Sequence, residues 1–275
     1  MKLSSVYLQS LQNNIDKIAN NMANTVTPGF KEQLLSLNES YDTQDKNNTV
    51  AQYGGMPATQ NPVLEASLYL GKRFDFTQGI LTDTGKPLDM AINGDGFFQV
   101  KTDNGSLAYT RAGTFSTDSA GNLVNNQGML LEPPIGIPAN ASNIHVDDNG
   151  SIRGVLNIDS PDTNDYSSYY KNADDLARGI ATFGNISLFK FSNPDGLELA
   201  GNNCFLPTQT SGKAVEGVAG EDGYGLIRGS TLERSNTDIV NAMTGLVQMQ
   251  RVYELNLRLI QDQNEMSAFA IAMRG

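Results

Sequence analysis

Tryptophan is absent, histidine and cysteine occur once each, and Lys plus Arg number only 19 against 30 Asp plus Glu in 275 residues. Each shortage excludes something. A single cysteine, Cys204, rules out an internal disulfide and any cysteine-cluster metal site, and a single histidine, His145, removes most histidine-based zinc sites and catalytic relays. Both read as packing residues. Without Trp, and with few clustered aromatics, no sugar-stacking platform is in view. The formal net charge of −11 opposes binding to a phosphate backbone through counterion release, so no nucleic-acid partner is expected. No run of about eighteen apolar residues occurs, so no single helix is expected to insert in a membrane. The opening MKLSSVYLQSLQNNIDKIANN has one early Lys, but Ser, Gln and Asn interrupt its apolar positions, so it lacks the continuous core of a secretory signal. Taken alone, that reads as cytoplasmic.

Chemistry is equally sparse. Gly94-Asp95-Gly96 lacks the Gly-Lys-Ser of a phosphate loop, and strand-like Phe97-Phe98 follows it. Asp147-Asp148-Asn149-Gly150 and Asp118-Ser119-Ala120-Gly121-Asn122 lack the alternating ligands and distal Glu of a calcium loop, and read as tight hairpins. No Ser is framed as Gly-x-Ser-x-Gly, and His145 has no identifiable nucleophile. The expectation is a non-enzyme with no catalytic residue, cofactor or metal. A carboxylate pair of the glycosidase kind stays open, because its separation belongs to the fold.

What is present is patterned at the ends. Leu8, Leu11, Ile15, Ile18 and Met22 alternate three and four apart, which lays them along one stripe of a helix predicted over residues 4–23. Asn20, Asn21 and Asn24 then accumulate before Pro28-Gly29, a reasonable stop. Ile239, Met243, Leu246, Gln250, Tyr253, Leu257 and Ile260 repeat the alternation, with Val240 and Val247 widening the stripe. This second helix is predicted over residues 237–273, with N-cap candidates in Ser235-Asn236-Thr237-Asp238 and Gly245 as its only glycine. Periodicity beyond about 25 residues suggests a coiled-coil-like pair. One copy would leave much of these stripes wet, so the seams are expected to be an assembly interface completed by other copies. Gln250 and Asn264 are candidate register-setting polar residues on the seam, or else lie at a wet edge.

The 275-residue chain is long enough for one large or two modest domains, and the interior reads as a hairpin-rich, irregular β domain. Strand-like segments include Leu88–Ile92, Phe97–Val100, Ile144–Val146 and Ile186–Phe191, with turns at Asn93-Gly94, Asp95-Gly96, Asn104-Gly105, Asn149-Gly150 and Asp195-Gly196. Residues 38–60 and 157–175 are polar stretches without an apolar period and read as exposed loops or mobile insertions. The fold class is therefore a mainly β centre with N- and C-terminal α-helices pairing in coiled-coil fashion. The boundaries expected are a helical segment 1–30, a connecting segment 31–90, a β-rich outer domain 91–230 and a helical segment 231–275.

Four blocks, in order, resemble the bacterial flagellar basal-body rod and hook-basal-body proteins. They are Ile18-Ala19-Asn20-Asn21-Met22-Ala23-Asn24 with Thr27-Pro28-Gly29-Phe30-Lys31; Gln78-Gly79-Ile80-Leu81 with Thr84 through Val100; Tyr109-Thr110-Arg111-Ala112-Gly113-Thr114-Phe115; and Gly229, Leu232-Glu233, Ser235-Asn236 with Gln250 through Asn256. The chain looks most like the distal-rod type. The family's usual Asn-Thr-Thr-Gly-Phe-Lys reads Val26-Thr27-Pro28-Gly29-Phe30-Lys31 here, and Val252 stands where Ala is commoner. The resemblance implies a structural subunit of the basal body, exported by the flagellar type III apparatus without a cleaved signal. It implies partners among other copies and other rod and hook subunits, ends that become helical on assembly, and transmission of torque. It also implies an export motif of the form Phe-x-x-x-hydrophobic, which Phe30 and Leu34 fit. The rival readings are an extracellular β-domain hydrolase and an adhesin-like coiled-coil oligomer.

Overall fold

The computed structural model describes residues 2–41, 66–102, 104–156, 169 and 179–273. Helix α1 (Lys2–Ala23) is followed by strands β1 (Glu32–Tyr41), β2 (Ala66–Asp75), β3 (Leu81–Asp83), β4 (Met90–Asn93), β5 (Phe98–Lys101), β6 (Leu107–Thr110), β7 (Phe115–Thr117), β8 (Leu123–Asn125) and β9 (Leu130–Glu132). Then come β10 (Ala141–Val146), β11 (Ser151–Leu156), β12 (Ile180–Asn185), β13 (Ser187–Lys190), β14 (Glu198–Gly201), β15 (Cys204–Leu206), β16 (Val215–Val218), β17 (Leu226–Gly229), β18 (Thr231–Glu233) and helix α2 (Ile239–Ala272). The fold is mainly β between two terminal helices, as expected from the sequence.

Strands β14-β15-β6-β5-β9-β8-β7 form one antiparallel sheet, and β10-β11-β12 form another. The remaining strands pair as β1-β2, β13-β16, β17-β4 and β18-β3. Successive strand residues point to opposite faces, and Phe97-Phe98 exploits this. Phe98 enters the main core with Val100, Leu123, Leu131, Ile152 and Ile186, while Phe97 joins an aromatic cluster of Phe74, Tyr109, Phe189, Phe191 and Phe205. In that cluster the rings meet edge to face, as at Tyr109–Phe191 with centroids 4.8 Å apart, the arrangement the ring quadrupole favours.

The expected turns hold where glycine supplies a positive φ, as at Gly105 (φ 78°) between β5 and β6 and Gly150 (φ 84°) between β10 and β11. Asp195-Gly196 differs: it lies in a 3-10 turn, Pro194–Gly196. There the need is space, since a Cβ on Gly196 would lie 2.6 Å from the Ser211 backbone nitrogen. The polar stretch expected as a loop from residue 38 also differs. Its first four residues continue β1, pairing as Asn38↔Tyr69 through Tyr41↔Ala66, because ladder hydrogen bonds are made by the backbone whatever the side-chain polarity. Residues 42–60 of that stretch lie outside the described residues, as does 157–175 apart from Tyr169, whose ring sits 5.9 Å from that of Phe183.

Candidate assembly interface

Helix α1 stops where its Asn-rich end takes over the capping. Asn24 donates from its amide to the Asn20 carbonyl at 2.9 Å, and the Thr25 hydroxyl to the Met22 carbonyl at 2.8 Å. Asn21, buried to 3% exposure, pairs with the backbone of Gln33 in both directions. Its Nδ2 donates to the Gln33 carbonyl at 3.0 Å, and its Oδ1 accepts from the Gln33 N–H at 2.9 Å. The side chain thus stands in for a strand partner and fixes α1 on β1. At the other end Asp238 caps α2, its Oδ1 accepting from Val240 N–H at 2.8 Å, the N-cap role expected of that segment.

Between the helices and the β body lies a buried charge cluster. Lys31 Nζ is 2.6 Å from Glu233 Oε1, with both side chains fully buried, and it also donates to the Thr77 carbonyl at 2.7 Å. Gly79 N–H donates to the same carboxylate oxygen at 2.8 Å. Arg111 Nη1 lies 3.8 Å from Glu233 Oε2 and donates to the Gly94 carbonyl at 2.8 Å, with its guanidinium over the Phe97 ring at 5.3 Å. Burial pushes the Lys31 ammonium below its ordinary value, and Glu233 beside it pulls the other way. One carboxylate therefore serves two cations in a dry site, where removal of a partner is costly.

Backbone contacts tighten the same place. Gly29 N–H donates to the Glu233 carbonyl at 2.7 Å. Asn236 accepts from Glu32 N–H at 2.9 Å through Oδ1 and donates to the Asp75 carbonyl at 2.8 Å through Nδ2. Phe30, one half of the expected export motif, is buried here at 7% exposure, whereas Leu34 is exposed. The four blocks read in the sequence meet at this junction. Their joint role was beyond sequence reasoning, and the only signal was their recurrence as motifs.

From the junction α1 arrives and α2 departs, so the two helices run antiparallel and pack on one another. Ile18 Cδ1 lies 3.7 Å from where a Cβ of Gly245 would be. Along the α1 stripe Leu11 is buried and Leu8, Ile15, Ile18 and Met22 are half-buried. On α2 it is offset. Leu246, Tyr253 and Ile260 are half-buried, but Ile239, Met243, Gln250 and Leu257 are exposed, and Ala242, Gly245, Met249, Val252 and Asn256 occupy the covered face instead. Asn264 is exposed as well. The small residues Ala242 and Gly245 let the backbones approach, which rotates the larger apolar residues outward.

Comparison with known proteins gives a consistent family. A model described as the flagellar hook protein FlgE/F/G D1 domain matches residues 91–154, and one described as the flagellar basal body rod FlgEFG protein C-terminal matches residues 228–273. The flagellar basal-body rod protein FlgG of Caulobacter vibrioides is 34% identical, covering 93% of this chain and 91% of that protein. The protein of that name from Buchnera aphidicola is 31% identical over 96% of this chain and 95% of its own length. That from Agrobacterium fabrum is 32% identical over 98% and 96%.

Proposed function

This chain belongs to the flagellar basal-body rod protein family, of the distal-rod type, and on that premise we propose that it self-assembles through its terminal helices into a hollow helical axial structure that transmits torque. The family is structural rather than enzymatic, which removes the hydrolase reading. The subunit resides in the flagellar basal body and its partners are other copies and other rod and hook subunits.

One observation carries the reading. Ile239, Val240, Met243, Val247 and Leu257 stand exposed on α2 although α1 already covers its other face, and apolar residues clustered on one exposed face mark an interaction site. Leu8, Leu11, Ile15, Ile18 and Met22 of α1 with Leu246, Tyr253 and Ile260 of α2 form the pair, and Ile239, Met243 and Leu257 complete the interface toward other copies. Residues 1–30 and 231–275 serve as rod core, 31–90 as the connection and 91–230 as the outer domain.

The test pairs electron microscopy of the purified full chain with complementation of a strain lacking it. Met243→Asp with Leu257→Asp should give a folded chain that neither forms rods nor restores motility. Rods and motility undiminished by that double substitution would overturn the proposal. A defined trimer by mass, with protected termini, would favour the adhesin-like oligomer instead. Delivery by the flagellar type III apparatus, with Phe30 and Leu34 as its signal, is a separate part of the reading. Undiminished secretion of a Phe30→Ala, Leu34→Ala chain into the medium of a hook-less strain would remove it.

A further inference from the structure

Three Asn-Gly pairs occur in the sequence, at residues 93–94, 104–105 and 149–150, and the fold holds them very differently. An asparagine before glycine is open to attack by the glycine nitrogen on its own side-chain amide, because no Cβ blocks the approach and the glycine backbone is free to swing. Asn93 is held against this. It pairs with Leu226 in β4–β17, Gly94 N–H donates to Gln78 Oε1 at 3.0 Å, and the Gly94 carbonyl accepts from Arg111 at 2.8 Å. A Cβ on Gly94 would lie 2.9 Å from Gly225 Cα. Gly150 is buried, its N–H donating to the Asp147 carbonyl at 2.9 Å and its carbonyl accepting from Ile186 N–H at 2.9 Å. The Asn149 side chain is itself engaged, its Oδ1 accepting from Ser151 N–H at 3.0 Å. Asn104 and Gly105, by contrast, are both exposed, and a Cβ on Gly105 would meet nothing within 4 Å. Gly105 N–H donates to the Thr102 carbonyl at 2.8 Å. A bond in a solvent-facing turn opens at low free energy, whereas those at Gly94 and Gly150 open only with the strands and core around them.

We propose that Asn104 is a site of spontaneous deamidation, with the Gly105 nitrogen as nucleophile and water as the only co-reactant. The Gly105 nitrogen attacks the Asn104 side-chain carbonyl carbon and closes a succinimide ring, while the carboxamide nitrogen leaves as ammonia with the proton that Gly105 gives up. Water then opens the ring. Cleavage between the Gly105 nitrogen and the side-chain carbon gives aspartate, and cleavage between that nitrogen and the backbone carbon gives isoaspartate. Either product adds one negative charge to a chain of net charge −11. Isoaspartate also routes the main chain through the former side chain and lengthens the β5–β6 turn by one methylene. That turn closes a hairpin in the middle of the seven-stranded sheet, next to the pairs Lys101↔Leu107 and Val100↔Ala108, of which Val100 and Ala108 are fully buried. Conversion accumulates with time, so the fraction converted records the age of a subunit.

The test incubates the purified full chain at mildly alkaline pH, folded in buffer or unfolded in guanidinium chloride, and follows the three Asn-Gly peptides by mass after acid-side proteolysis. Isoaspartate is scored in parallel by enzymatic carboxyl methylation. In the folded chain Asn104 should convert about tenfold or more faster than Asn93 and Asn149, the span that differing local opening allows. In guanidinium chloride the three rates should converge, since all three pairs are then equally free. Asn104→Gln should lose the leading isoaspartate signal, because glutamine would have to close a larger ring. Equal conversion at the three pairs of the folded chain, or a lead at Asn93 or Asn149, overturns the proposal. A lead of the same size in guanidinium chloride also overturns it, since local sequence rather than the fold would then set the order. So does an early isoaspartate signal that persists in Asn104→Gln.

Discussion

Lys31 and Glu233, 202 positions apart, form a buried ion pair of 2.6 Å that Arg111 shares from the far side of the carboxylate. The three side chains come from the segment after α1, the loop before β7 and the end of β18. Breaking a buried pair by removing one partner costs roughly 3–5 kcal/mol. Lys31→Met should therefore destabilise the chain by that order in urea unfolding. Glu233→Gln should cost more, because it leaves two cations in the dry site, and Lys31→Met combined with Glu233→Gln should not be additive.

Asn21 offers a test confined to α1. In Asn21→Ala the N–H and carbonyl of Gln33 both lose their side-chain partner, and an unmet buried polar group costs about 1–3 kcal/mol. Hydrogen exchange should accelerate at the C-terminal end of α1 before the β strands respond. Equal acceleration throughout the chain would show that the amide does not hold α1 specifically.

Glu32 gives a prediction in pH. Burial first, then Asp75 and Asp238, hold its carboxyl above the ordinary value of 4.5. The folded chain thus binds this proton more tightly than the unfolded chain. The resulting stability is fully present below the unfolded pKa and is lost as pH rises through the folded one. Glu32→Gln should raise stability at neutral pH by only a few tenths of a kcal/mol, because the group is half-buried and solvent still screens much of its charge. At pH 3 the variant and parent should coincide in thermal melts.

Gly29 and Gly85 separate strain from contact. Both have positive φ, 66° and 69°, but a Cβ on Gly29 would fall 2.4 Å from the Ala112 nitrogen while Gly85 faces open space. Alanine at either position meets the left-handed penalty of about 1–2 kcal/mol. Gly29→Ala should cost well beyond that, since backbone must move. Parallel denaturation of the two variants reads the difference directly.

The helices were legible because a period of 3.6 needs only local information, and the observed ends fall within about two residues of those expected. The α2 seam was legible only in part. Ile239, Met243 and Leu257 fit the three-four alternation by hydrophobicity, but Ala242 and Gly245 fit the neighbouring helix by size, and close approach decided the rotation. Hydrophobicity alone does not rank a small residue above a large one. The junction was legible as motifs and not as a site: nothing in Lys31, Arg111 or Glu233 announces that the fold will bring them together. Asn236 was read as one of several helix caps, yet Asp238 takes that role while Asn236 ties β1 and β2 to the segment before α2. Competition among adjacent Ser, Asn, Thr and Asp is settled by which partner arrives from elsewhere in the chain.

The separation between Lys31 and Glu233 also bears on the order of folding. Hairpins between them such as β5–β6, β7–β8 and β10–β11 close over short loops and can form as the chain lengthens, but α1 has no facing helix, and Lys31 lacks Glu233, until the segment from residue 233 onward is present. Contacts so distant in sequence form late and slowly, since loop closure must precede any gain from them. A chain interrupted before residue 233 keeps Lys31 without its ion-pair partner and α1 without the helix that covers it. Closure of the junction therefore waits for the segment that carries Glu233.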